Sequence, residues 1–481
     1  MPRSPKNPRI LRRFGNRLNR PLPTRDRGSD EIAPGPRTPR QRELAARIDS
    51  LGSELAKRQG ISRREFLGSA AGMAAAFVAM NQTFGMLFEA DLAEAADPER
   101  AAERAGRLSS QLVIDMHTHF LRPDTRLTGF VAMREKARDR GWNPDLKGKK
   151  QTIQDLMFQN YLDEMYLKSD TTMACISGAP SEITEDWFLT NDMIAEGRKV
   201  INGLAGTRRS FAHAVFAPGY DGWMDQVDYA IETLKPDSFK GYTIGDNTHK
   251  DLSEHPWFMD DEDLVYPAYE KFQKASLVNV CVHKGLFPPA TERRFPNLAP
   301  YCDVRDVAKA AKDWPGLNFV IYHAGYRYAG GGTAEEAWKA FQKTGRIEWV
   351  TDLAEIPTKH GVSNVYADLG QTFAQTVIAE PRLAAMILGQ LVKGLGADHV
   401  CWGTDALWTG TPQWQIEGLR RLEIPEDLRA QYDLPELGGP DSETKRAILG
   451  DNNARLYGVD SALALAAARD DGIARMKREM A

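Results

Sequence analysis

Leu112-Val113-Ile114-Asp115-Met116-His117-Thr118-His119-Phe120 is the stretch whose reading decides the fold. Its first half is a short apolar, β-branched run, the pattern of a buried strand. Its second half sets two imidazoles two residues apart. Strand side chains alternate between faces, so His117 and His119 project the same way from one rigid element and can grip one cation. Such a pair alone is a weak signal, since exposed His-x-His pairs are common. Strand-like runs recur at 172–177 (TMACIS), 211–217 (FAHAVFA), 238–244 (SFKGYTI), 277–283 (LVNVCVH), 318–323 (NFVIYH), 364–369 (NVYADL) and 399–405 (HVCWGTD). Segments of helical period, such as 263–275 and 384–395, separate them. Eight strands alternating with helices predict an α/β protein, a (β/α)8 TIM barrel over 112–460. An open doubly wound sheet is the second choice, but no G-x-G-x-x-G follows the first strand to support a dinucleotide fold.

Chemistry in such a barrel sits at the C-terminal ends of the strands, and the polar residues fall there. Lys240 lies on the fourth run, His283 ends the fifth, His323 ends the sixth, Asp368 lies near the end of the seventh and Asp405 ends the eighth. His213, His249, His255, His360 and His399 lie outside these positions. With His117 and His119, His283 and Asp405 complete a nitrogen and oxygen ligand set suited to Zn²⁺, with Mn²⁺, Fe²⁺ or Co²⁺ as alternatives. Four unrelated polar residues at strand ends would instead bury several imidazoles without partners, which is costly.

The chain has 481 residues, 42% hydrophobic and 27% charged, enough for a sizeable core. These values exclude wholesale disorder, a disulfide-knotted miniprotein and a polytopic membrane protein. None of the four cysteines (Cys175, Cys281, Cys302, Cys401) forms a C-x-x-C pair, so they read as buried thiols. The net charge of −4 hides an asymmetry: residues 1–60 carry 15 Lys and Arg against 6 Asp and Glu. This basic head has few aromatics to stack on bases and precedes an acidic body, which argues against nucleic-acid binding. Residues 1–60 read as a basic, disordered extension with a short helix near its end. Ser62-Arg63-Arg64-Glu65-Phe66-Leu67, the apolar GSAAGMAAAFVAM and Ala93-Glu94-Ala95 follow in the order of a twin-arginine export signal over 61–95. The expected partners are the export machinery and a small-molecule substrate. The expected location is periplasmic or exported, with no stable membrane span in the mature protein. An amphipathic helix with two exposed arginines is the plainer alternative. Residues 96–111 read as a linker and 461–481 as a helical tail.

In order, DMHTHF, VHKG, YHAGY and WGTDA resemble the amidohydrolase superfamily, in the branch that includes aminocarboxymuconate semialdehyde decarboxylase and related hydrolases. ILGDNNARLYGV (448–459) is similar to the closing helix of that branch. The resemblance spans about 112–460. It implies a distorted (β/α)8 barrel with one divalent metal, usually zinc, ligands His117, His119, His283 and Asp405, a catalytic His323, and often a dimer. Asp405 can both ligate and take a proton from water, making it catalytic as well; the plainer role is a helix N-cap. For His323 the plainer role is a core histidine bonded to backbone. Lys240 can be a carboxylated metal bridge, a contact for a substrate carboxylate or a solvated cation, and a non-bridging role is favoured. Arg327 can clamp a carboxylate and Trp408 can hold a planar substrate, with loop packing as the alternative for both. Gly330-Gly331-Gly332 reads as a lid hinge or a plain connection. The activity expected is hydrolysis of an ester, lactone, amide or carbon–carbon bond by a metal-activated water. A non-oxidative decarboxylase and a non-catalytic exported metal-binding protein are the alternatives.

Overall fold

The computed structural model describes residues 20–24, 38–127, 131, 150, 152–328, 333–408 and 410–480. Among these, eight strands form one parallel sheet in sequential order: β1 (Ile114–Thr118), β2 (Met173–Ile176), β3 (Ser210–Val215), β4 (Ser238–Tyr242), β5 (Asn279–His283), β6 (Asn318–Tyr322), β7 (Val365–Asp368) and β8 (Val400–Cys401). All but the first residue of β6 are buried, as parallel strands covered on both faces must be. The ring is closed by backbone bonds between β1 and the residues after β8. Asp405 N donates to His117 O at 2.8 Å and Leu407 N to His119 O at 3.1 Å, beside a parallel bridge of Thr118 to Ala406. The register between β1 and β2 slips between Asp115 and Thr118, and β8 is two residues long. The barrel is therefore irregular where the imidazole pair sits.

The segment before β1 is helical over much of its described length. Residues 1–19 and 25–37 lie outside the described residues, but 39–59 form helix α1 (Pro39–Gln59), opened by a Thr38–Gln41 capping box and ended by Gly60 at φ 69°. Leu44, Ile48 and Leu55 make an apolar stripe that drives it onto the body. This helix lies where a short one is expected near the end of the extension. The stretch read as an export signal contains α2 (Arg63–Leu67), α3 (Ala70–Phe84) and α4 (Leu92–Ala96); the expected linker contains α5 (Pro98–Leu108). Arg63 and Arg64 are exposed, whereas Ala74 to Met80 of α3 are buried in the same core as the barrel helices. Buried ion pairing of Arg421 with Glu94 (2.6 Å), and bonds Glu89 N to Arg421 O and Glu423 N to Leu87 O (both 2.8 Å), join this layer to the body. No helix among the described residues is long and apolar enough to cross a membrane. The tail is helical over 461–468 and 472–480, and Asp471 pairs with Arg209 at the start of β3 at 2.6 Å.

Candidate metal centre

The alternation of β1 does what its spacing requires. His117 and His119 aim their Nε2 atoms at one carboxylate oxygen, Asp405 Oδ1, at 3.2 and 3.5 Å. All three side chains are buried, and one ligand atom from each lies within 4.8 Å of the others. Neighbouring ligands with bonds of about 2.1 Å to a tetrahedral ion stand ~3.4 Å apart, so the separations fit one cation. Asp405 takes this position from a backbone at φ 58°, in the left-handed region that aspartate tolerates better than most residues.

The rings are fixed from behind. His119 Nδ1 donates to the Ser177 carbonyl at 3.0 Å; a carbonyl can only accept, so Nε2 is the nitrogen left to ligate. His117 Nδ1 bonds to Asp368 Oδ1 at 2.8 Å. Burial opposes a charge on His117, but Asp405 and Asp368 on either side outweigh it and raise its pKa to about 9. His119 moves well below the usual range, through burial and then the neighbouring His117 and Lys240. Asp405 Oδ2 and Asp368 Oδ2 are buried and meet no hydrogen-bond donor among the described residues. Two buried carboxylates around the imidazole nitrogens call for positive charge, which a bound divalent cation would supply.

His283, expected as a ligand, bonds to His323 through its Nδ1. His323 Nδ1 donates to the Gly370 carbonyl at 2.9 Å. Its Nε2, 3.0 Å from His283 Nδ1, is then the acceptor, and His283 presents an unprotonated Nε2. His283 lies flat against Tyr242, with ring centroids 4.9 Å apart, outside the three-ligand cluster. His323 lies beside that cluster, its ring centroid 4.8 Å from that of His117. Burial, then His283, hold its pKa well below the usual range.

Lys240 on β4 points into the barrel, with Nζ 3.1 Å from the Tyr322 ring centroid and 5.0 Å from that of Tyr242. Trp408 lies near-parallel to the His119 ring at 6.1 Å and edge-on to Phe188 at 5.5 Å, so it lines the centre. Arg327 is paired with Glu292 and Glu348 and lies over the Trp349 ring. Trp402 and Trp414 are core residues, and 329–332, including the expected lid glycines, lie outside the described residues. Sequence reading noted Asp368 but gave it no role; its position one strand before Asp405 was the available signal. His213 was passed over, yet it is buried on β3 with Nε2 2.7 Å from the Tyr322 hydroxyl.

A buried His–His–Asp cluster at the carboxyl ends of parallel barrel strands defines a metal-binding (β/α)8 protein. The family model described as "Amidohydrolase" matches residues 114–459, so the chain belongs to the amidohydrolase family. No curated protein matches it. Among solved structures it is similar to an uncharacterized TIM-barrel protein from Bordetella bronchiseptica (14% identity, 74% of this chain, 99% of that one, TM-score 0.46). It is also similar to a 5-carboxyvanillate decarboxylase from Novosphingobium aromaticivorans with bound manganese (12%, 73% and 98%, TM-score 0.42). A third is a putative 2-pyrone-4,6-dicarboxylic acid hydrolase from Pseudomonas putida (16%, 72% and 98%, TM-score 0.37).

Proposed function

We propose that the protein is a metal-dependent hydrolase of a small carboxylic ester, lactone, amide or carbon–carbon bond, with His117, His119 and Asp405 as cation ligands. One observation carries this reading: two imidazole Nε2 atoms converge on Asp405 Oδ1 while both rings are tied back through Nδ1. Two nitrogens and one carboxylate suit Zn²⁺, with Mn²⁺, Fe²⁺ and Co²⁺ as alternatives. When bound, such an ion polarises a substrate carbonyl and acidifies water. Asp405 Oδ2 is the atom available to take a proton from the attacking water. His323 and His283 share one hydrogen bond, through which a proton can pass between His323 Nε2 and His283 Nδ1. Trp408 and Phe188 form an apolar wall beside His119 against which a substrate can lie.

The test is metal analysis of the purified full chain, joined to a screen of esters, lactones and amides. About one equivalent of divalent metal is expected. His117→Ala and His119→Ala should lose it; His323→Ala should keep it and lose turnover. Full activity in metal-free protein would refute the reading. Loss of metal in His117→Ala with no loss of any activity would favour a non-catalytic metal-binding protein. The flat aromatic wall of Trp408 favours one second reading, a non-oxidative decarboxylase of an aromatic or unsaturated acid. CO₂ release from aromatic carboxylates without ester or lactone hydrolysis would establish it.

A further inference from the structure

Asp368 ends β7 and is buried. Its Oδ1 accepts from His117 Nδ1 at 2.8 Å and from the backbone N–H groups of Gly370 at 3.0 Å and His323 at 3.5 Å. Its Oδ2 meets no donor among the described residues. A buried carboxylate oxygen in that condition is costly, so a charge must stand here for a reason other than stability.

The space around the pair is closed by two glycines. A Cβ at Gly370 would lie 2.2 Å from His117 Nδ1 and 2.8 Å from Asp368 Oδ1. A Cβ at Gly403 would lie 1.9 Å from Asp368 Oδ2 and 2.6 Å from His117 Cβ. Neither glycine has a left-handed φ, so the missing Cβ supplies room and not backbone freedom. The chain thus leaves space, at two positions 33 residues apart, for one carboxylate against one imidazole.

We propose that Asp368 is a positioning residue for the cation site, which holds the His117 ring with Nε2 aimed at Asp405 and sets the affinity for a divalent ion. This rests on the metal-site reading above. A carboxylate behind a ligating imidazole orients the ring and raises its basicity as a ligand. Asp368 does this from a rigid strand end, with no freedom to turn away because Gly370 and Gly403 fit closely around it.

The test measures Zn²⁺ and Mn²⁺ affinity of the full chain by competition with a chromophoric chelator, alongside thermal unfolding of the metal-free protein. His117→Ala and His119→Ala report on the site itself; wild-type affinity in both would sink the metal reading before Asp368 is considered. Asp368→Asn keeps the shape and removes the charge. It is expected to weaken both ions about 10- to 100-fold, with metal-free unfolding close to wild type. Gly403→Ala, which displaces the carboxylate, should weaken binding likewise. The double variant should be no weaker than the weaker single one, because both act through the same atoms. The proposal is overturned if Asp368→Asn binds both ions as the wild type does while His117→Ala does not. It is equally overturned if Asp368→Asn unfolds without metal, which would assign Asp368 to the scaffold, or if the two losses are additive.

Discussion

At the residue scale, the centre works because each imidazole has one nitrogen committed to protein and one left over. His119 spends Nδ1 on a carbonyl and His117 spends its own on a carboxylate, so rotation of either ring would break a buried bond. A different effect, burial of a carboxyl, acts at Glu380. Burial raises its carboxyl to about 6 although the Arg40 guanidinium stands 3.2 Å away. The folded chain keeps this proton at pH values where the unfolded chain, near 4.5, has released it. Glu380 therefore makes stability fall as pH rises from about 4.5 to 6, and contributes no further slope above that. Glu380→Gln should remove this slope and stabilise the protein above pH 6 by up to about 2 kcal/mol. Urea midpoints from pH 4.5 to 7 check it, and parallel curves for both proteins would count against it.

At the element scale, the strands were readable because a two-residue period and a β-branched run are local properties. The packing of helices α1 to α5 was not. An alanine-rich apolar helix such as α3 looks alike in sequence whether it feeds an export channel or fills a gap between helices. In the structure α3 packs tightly on α2: a Cβ on Gly72 would lie 2.1 Å from the Phe66 carbonyl and 2.7 Å from Leu67 Cα, backbone atoms with little room to give. Gly72→Ala should destabilise the full chain by about 1–3 kcal/mol, as overpacking does. An unchanged denaturation midpoint would show that α2 and α3 are not held this closely.

At the scale of the whole molecule, residues 38–108 and the barrel share one apolar core. Leu44, Ile48, Phe66, Phe77 and Met80 are each almost wholly buried. At about 1.5–3 kcal/mol for each such side chain, their loss rivals the 5–15 kcal/mol that typically separates folded from unfolded protein. A chain beginning at Asp97 is therefore expected to aggregate or to unfold many degrees lower, read by thermal unfolding and size-exclusion chromatography. The eight-strand order and the shared face of His117 and His119 were legible in the sequence, because each follows from backbone period and local pattern; Asp405 was placed on the eighth strand but lies four residues past its end. That Asp368 backs His117 from 251 residues away, that His283 bonds His323 and that α3 is buried came from the folded chain alone. Those depend on which surfaces meet when the ring closes, and no local pattern carries that information.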